Sequence, residues 1–267
     1  MVSSEQESQN NWASGSLWDM TGRKQVITFI GAGGKTTCLQ AITREIVAAR
    51  QRVIATTTTK VFPEQHIEGW KNSFPPPPSL ADACFWYNRV EDESGKWIGP
   101  PVQVVDKAIA STSPRTVPEL HWVIEGDGAR GRKLKCWGPH EPQIPERTEC
   151  AVLVLDRSLW GNVLLTDQVH RWERCKNLLG QVWNAEMAWN YFLSSPVFAP
   201  QYEHMTWVIL LNSPRKNAED EGLILRNLSH RCEEIRQDIN DLKSKPRHLR
   251  LSTGDAKEGE LRWFDLW

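Results

Sequence analysis

The chain predicts a three-layer α/β fold with a mainly parallel sheet, on three observations. An apolar, β-branched run at Val26–Ile30 stops at a glycine cluster and passes directly into a helical pattern. Short apolar runs of the buried-strand kind recur along the chain. The length, 267 residues, suits one α/β domain that can bury a full core.

The first observation is the most informative. In VITFIGAGGKTT the strand ends at Gly31-Ala32-Gly33-Gly34, and Lys35, Thr36 and Thr37 open a helix with Leu39, Ile42 and Ile46 on one face. A strand, a glycine turn and a helix start make an anion site: the first helical turn has unpaired N–H groups and its dipole favours negative charge. Glycine lets the backbone wrap a phosphate. Lys35 is then placed to reach the β/γ-phosphates and the Thr36 hydroxyl to hold Mg²⁺. The spacing is the short G-x-x-G-K-T-T form of Mur-type ligases, since the first glycine of the longer pattern would fall on Phe29. These features point to a P-loop-like nucleotide-binding fold.

The rest follows in order. Residues 1–22 are expected to be a disordered tail, since their start lacks the apolar core of a signal peptide. Residues 23–267 then form one domain, with a hairpin insertion around 64–118. Arg52–Ala55 reads as a second strand, delivering Thr58 and Lys60 to the carboxyl edge where open parallel sheets bind ligands. Within the insertion, Pro75–Pro78 is stiff, Trp86–Ile98 reads as a hairpin turning at Glu93–Lys96, and Val102–Ala110 as a short helix. His121–Ile124 is a strand ending in Glu125-Gly126-Asp127-Gly128, which is similar to a Walker B acid pair. A basic stretch follows, Arg130 to Lys135, then His140 and Glu141. Cys150–Leu155 and Trp207–Leu211 are further strands, the latter ending at Asn212, and Ala185–Leu193 reads as helix. His170 and Arg171 lie between them. From Asp220 to Lys243 apolar residues recur by three and four, too briefly for a coiled coil, so this helix is expected to pack on the sheet. Arg247–Ser252 and Leu261–Leu266 supply closing strands.

Composition excludes several classes. Net charge is −1 with both signs mixed, which argues against a nucleic-acid surface. No apolar run of about 18 residues is present, so no transmembrane helix is read. Six scattered cysteines without a C-x-x-C pair suit a reduced, cytoplasmic protein. Fourteen tryptophans have no functional reading beyond packing.

Five blocks in this order, VITFIGAGGKTT, VIATTTTKVFP, VIEGDGARGRKLKCWGPHEPQIP, VHRWE and VILLN, resemble the YqeC family. The family is described as accessory proteins of selenium-dependent molybdenum hydroxylases. The resemblance spans roughly Gln25 to Asn212, and its GDGAR…HEP block is the most specific. It implies a P-loop-type fold, a role in maturing or handling a cofactor, and a molybdenum hydroxylase or its cofactor as partner. Family members tend to carry Asn-Lys after the late strand, similar to a guanine-reading element. Here the residues are Asn212-Ser213-Pro214-Arg215, which leaves ATP at least as well placed as GTP. Trp172 stands where the family commonly has Pro, a neutral change.

The expected chemistry is NTP hydrolysis or phosphoryl transfer with Mg²⁺. Gly31, Ala32, Gly33, Gly34, Lys35, Thr36, Thr37, Thr58 and Asn212 would hold the nucleotide. Thr36 and Asp127 would bind the metal, Glu125 would act as base, and Lys60 would neutralise transition-state charge. Arg130, Lys135, His140, Glu141, His170 and Arg171 are substrate-binding candidates. A Mur-like ATP-dependent ligase is one alternative; a non-enzymatic nucleotide-gated chaperone, docking through the 225–242 seam, is another.

Overall fold

In this computed structural model, residues 12–64, 66–77, 80–112, 119–213 and 218–267 are described. The chain opens with β1 (Ala13–Gly15), α1 (Leu17–Met20), β2 (Val26–Gly31), α2 (Lys35–Ala48), β3 (Arg52–Thr57) and β4 (Lys60–Val61). It continues through β5 (Glu68–Lys71), β6 (Ala83–Tyr87), β7 (Arg89–Val90), β8 (Trp97–Ile98), α3 (Val102–Ser111), β9 (Leu120–Glu125) and β10 (Leu134–Lys135). The second half comprises β11 (Cys150–Asp156), β12 (Val169–His170), α4 (Ala185–Leu193), β13 (Thr206–Asn212), α5 (Ala218–Glu234), α6 (Arg236–Asn240), β14 (His248–Asp255) and β15 (Glu260–Asp265).

The main sheet has ten strands in the order β1-β15-β14-β13-β11-β2-β9-β3-β6-β5. Its eight strands from β14 to β5 run parallel, and β15 and β1 close one edge antiparallel. The fold is therefore α/β, with helices on both faces. Alternation along the central strands divides the core as a buried parallel sheet requires. Ile27, Phe29, Val152, Val154, Val208 and Leu210 pack under α1 and α2. Their neighbours Ala151, Leu153, Trp207 and Ile209 face the opposite layer, with Trp189 of α4 and Leu225 and Leu228 of α5. Val105 and Ile109 of α3 cover the far end, against Trp86, Trp122 and Ile124. Trp86, Trp122, Trp189 and Trp207 are fully buried, so packing accounts for part of the tryptophan content.

The structure departs from the sequence expectations in four places. Residues 12–22 are built into the fold: β1 pairs with β15, and Ser16 and Asp19 cap α1 reciprocally. The Glu45 carboxylate of α2 accepts the N–H groups of Leu17 and Trp18, at 3.2 and 2.7 Å. Residues 1–11 lie outside the described residues. The 64–118 segment is only partly a hairpin insertion. Its strands β5 and β6, the latter including Trp86, extend the main sheet, and the hairpin proper is β7–β8, to which β4 adds. The 220–243 helix is broken at Ile235 into α5 and α6. Its seam residues Leu225, Leu228, Cys232, Ile235 and Ile239 are buried in the chain's own core, which leaves only Leu242 exposed and removes the docking face. Fourth, Cys136 and Cys175 form a disulfide with Cα atoms 6.3 Å apart, whereas Cys38, Cys84, Cys150 and Cys232 are free and buried. The expectation of a wholly reduced set is corrected accordingly. No helix among the described residues is long and apolar enough to cross a membrane.

Candidate functional site

The site lies at the carboxyl edge of the sheet, where β2 ends between β9 and β11. Two glycines are dictated by close approach. A Cβ on Gly31 would stand 2.4 Å from the Val154 carbonyl oxygen, and one on Gly33 2.3 Å from the Asp156 nitrogen. Both have positive φ, at 94° and 81°. The Ala32 N–H donates to the Val154 carbonyl, so the loop is fastened to β11. Asn212, at the end of β13, supports it from the other side. Its amide Nδ2 donates to the Gly33 carbonyl at 3.0 Å and its Oδ1 accepts the Ala256 N–H. Among the described residues the N–H groups of Gly33, Gly34, Lys35 and Thr36 meet no acceptor, and Gly34 gives α2 no side-chain cap. An open, positive helix end with a buried lysine in its first turn fits a phosphate.

Behind this loop, β9 delivers two carboxylates to one cation. Lys35 is 5% exposed; its ammonium donates to the Gly31 carbonyl at 2.7 Å and lies 3.3 Å from Asp127 and 3.6 Å from Glu125. Burial opposes its charge, but Asp127 and Glu125 outweigh burial and hold its pKa above the ordinary lysine value. Glu125 is pushed up, first by burial and further by Asp127, against the pull of Lys35.

The two acids are not equivalent. Asp127, fully buried, has four partners: it accepts the Gly31 N–H at 3.0 Å and the Trp137 indole at 2.6 Å, and it is ion-paired to Lys35 at 3.3 Å and Lys135 at 3.5 Å. That fills the acceptor capacity of a carboxylate. Glu125 instead accepts the hydroxyl of the exposed Thr36 at 3.1 Å, and among the described residues its second oxygen meets only Lys35. Thr36 thus pairs with Glu125, not with Asp127, the acid the sequence reading assigned to its metal. No group of three or more His, Cys, Asp or Glu that could hold a metal alone is found among the described residues.

The remaining candidates divide. Thr58 is drawn to the rim, its N–H on the Glu125 carbonyl and its hydroxyl on the Gln143 carbonyl at 2.7 Å. Lys135 is fully buried, which removes it from any substrate-facing surface; its ammonium donates to the Gly128 carbonyl at 2.6 Å and pairs with Glu141 at 3.1 Å. Glu141 in turn holds Arg171 at 3.0 Å. Lys60 is not brought into this network: it is exposed on β4 and ion-paired to Glu91. His140 is exposed on its loop, and the half-buried His170 sits on β12 beside β10. Trp137 and the Cys136–Cys175 bond were not anticipated. Both lie in the GDGAR…HEP block or opposite it, and only the density of polar groups around Trp137 signalled a site there.

The sequence model of the YqeC protein family matches residues 27–173, more than half of the chain. The "Uncharacterized protein YqeC" of Escherichia coli (strain K12) is 31% identical over 167 residues, which cover 59% of this chain and 62% of that protein. The match thus spans less than two thirds of the relative's length. No solved structure matches. The matched segment contains the loop after β2, both β9 carboxylates, Lys135, Glu141 and Arg171, and the chain belongs to the YqeC family.

Proposed function

We propose that the chain binds a nucleoside triphosphate with Mg²⁺ and hydrolyses it or passes its phosphoryl group to an acceptor. The observation that carries this reading is Lys35 in the first turn of α2, beside N–H groups that meet no acceptor, at the end of the central strand. Gly31 to Thr37 would cradle the phosphates, and Lys35 would exchange part of its carboxylate contact for a phosphate oxygen. Thr36 and Glu125 are the pair suited to Mg²⁺, which would supply charge neutralisation on the phosphates. Asp127, with its acceptors filled, anchors the loop through Gly31 and positions Lys35. Asn212 supports the loop rather than a base, because both ends of its amide are engaged. ATP and GTP therefore remain equally admissible. The role as an accessory factor for a molybdenum hydroxylase or its cofactor rests on the family resemblance alone.

The test is calorimetry of Mg–nucleotide binding. Lys35→Ala removes a charge-assisted contact of about 1.5–3 kcal/mol, which corresponds to a loss of roughly 10- to 150-fold. Equal affinities for wild type and variant would remove the nucleotide reading.

A further inference from the structure

A cation-rich cavity opens beside the β10–β12 pair, with a volume of about 570 Å³. That is within the range of small-ligand sites. Its walls carry three guanidinium groups, Arg130, Arg132 and Arg171, together with His170 and the indole of Trp172. Two of these arginines are held in the left-handed region, Arg130 at φ 50° and Arg171 at φ 59°. Such backbone is costly for a residue with a Cβ and persists where its surroundings impose it, often at ligand sites.

The three guanidinium groups are committed to different degrees. Arg132 donates to the Asp167 carbonyl and ties the two loops together. Arg171 is half-buried and rests on Glu141. Arg130 is exposed and, among the described residues, makes no hydrogen bond or ion pair. His170 is held below the ordinary histidine value by burial and then by the charges of Lys135, Arg171 and Arg130, so it is neutral and able to share a hydrogen bond.

We propose that this cavity binds a compact dianion, a phosphate monoester carrying a planar ring, gripped by Arg130 and Arg171 with its ring against Trp172. The proposal goes beyond the nucleotide reading above and stands on the cavity's own lining. Guanidinium forks match phosphate oxygens in geometry and charge. Asp167 and Glu173 in the same wall disfavour an extended polyanion such as RNA and limit the ligand to a small anion. The two sites are physically joined: Arg171 meets Glu141 at 3.0 Å, Glu141 meets Lys135 at 3.1 Å, Lys135 meets Asp127 at 3.5 Å and Asp127 meets Lys35 at 3.3 Å.

The experiment is calorimetric titration of phenyl phosphate, with benzoate and inorganic phosphate as controls, and a separate titration of Mg–ADP. Saturable phenyl phosphate binding is expected in the wild type, weakened at least about fivefold by Arg130→Gln and about tenfold by Arg171→Gln. Arg130→Gln removes an unpaired exposed side chain, so its fold is expected to be unchanged. Lys35→Ala should leave phenyl phosphate affinity within about twofold while Mg–ADP affinity falls. Loss of phenyl phosphate binding in Lys35→Ala but not in the arginine variants would place the probe in the α2 loop and overturn the proposal. So would benzoate binding as tightly as phenyl phosphate, or no saturable binding. Failure of Mg–ADP binding with phenyl phosphate intact would instead overturn the nucleotide reading and leave the cavity as a separate anion site.

Discussion

Lys35 and Lys135 are both buried against Asp127, at nearly the same distance, yet their surroundings give them different freedom. Lys35 leaves the first turn of α2, and its second carboxylate, Glu125, faces the exposed Thr36. A phosphate arriving there meets open N–H groups and a lysine that can keep one carboxylate while giving up another. Lys135 has no exposed surface; its other partners are the Gly128 carbonyl and Glu141, and Tyr191 closes over its own carbonyl at 2.8 Å. An incoming anion has no route to that ammonium without opening the loop. The same cation on the same aspartate thus borders an open helix end on one side and is an enclosed strut on the other. Their neighbours separate them, not their own chemistry.

The largest effect should come from the residue they share. Asp127→Asn leaves two buried ammonium groups short of a counter-charge. Removing one partner of a buried pair costs about 3–5 kcal/mol, so a urea-unfolding loss of at least that size is expected. A loss under roughly 1 kcal/mol would show that the lysines reach water and that the burial contrast is weaker than drawn. Next comes the lysine comparison. Lys135→Met should destabilise by about 3 kcal/mol, since Asp127 and Glu141 lose their shared cation, while nucleotide affinity stays within about threefold. Lys35→Ala should do the reverse, chiefly weakening binding. If both variants lose affinity alike, the two lysines act as one site and the distinction fails. Glu125→Gln is milder for the fold, because the Thr36 hydrogen bond survives on the amide oxygen. Its expected signature is a nucleotide affinity that no longer rises with Mg²⁺; if Asp127→Asn alone shows that loss, the metal belongs to Asp127 after all.

Much of this contrast was open to reading in the sequence, and the unread part has a physical reason. Strand, glycine turn and helix start are local features, so Gly31 to Thr37 and the sheet around them could be placed from periodicity. Ala185–Leu193 was legible for the same cause, as a short periodic run with a clear stop at Ser194. The roles of Glu125 and Asp127 were not, because they depend on which donors a third segment supplies: Trp137 and Lys135 come from a loop with no regular period. Lys135 sits in a run of basic residues that reads as solvated, and only the tertiary placement of Glu141 and Asp127 makes its burial tolerable. Lys60 shows the converse case. It follows a strand at the expected edge, but β4 turns onto the small sheet and gives its charge to Glu91. The ordered start of the chain was equally hidden, since a three-residue strand is stabilised by β15, more than two hundred residues away.

The smallest predicted effect separates the outer ends of the two lysine networks by the sign of their pH dependence. Burial alone would raise the Glu141 carboxyl, but Lys135 and then Arg171 outweigh it and hold it below the ordinary glutamate value. The folded state then binds fewer protons than the unfolded chain on the acid side of that value. Its contribution to stability is present above the ordinary value and is lost as pH falls through the depressed one. Glu125 is displaced in the other direction, by burial and Asp127, so the folded state there holds its proton more tightly than the unfolded chain. Its contribution is greatest on the acid side and is lost as pH rises through the raised value. Urea-unfolding curves of wild type, Glu141→Gln and Glu125→Gln from about pH 3 to about pH 8 test both signs. The Glu141→Gln deficit should shrink on acidification. The Glu125→Gln variant should gain on wild type as pH rises, since an amide needs no proton to remain neutral beside Asp127. Parallel curves for all three proteins would mean that Glu141 does not sense Lys135 and that burial does not raise Glu125, and the two-sided picture of Asp127 would reduce to a single solvated cluster.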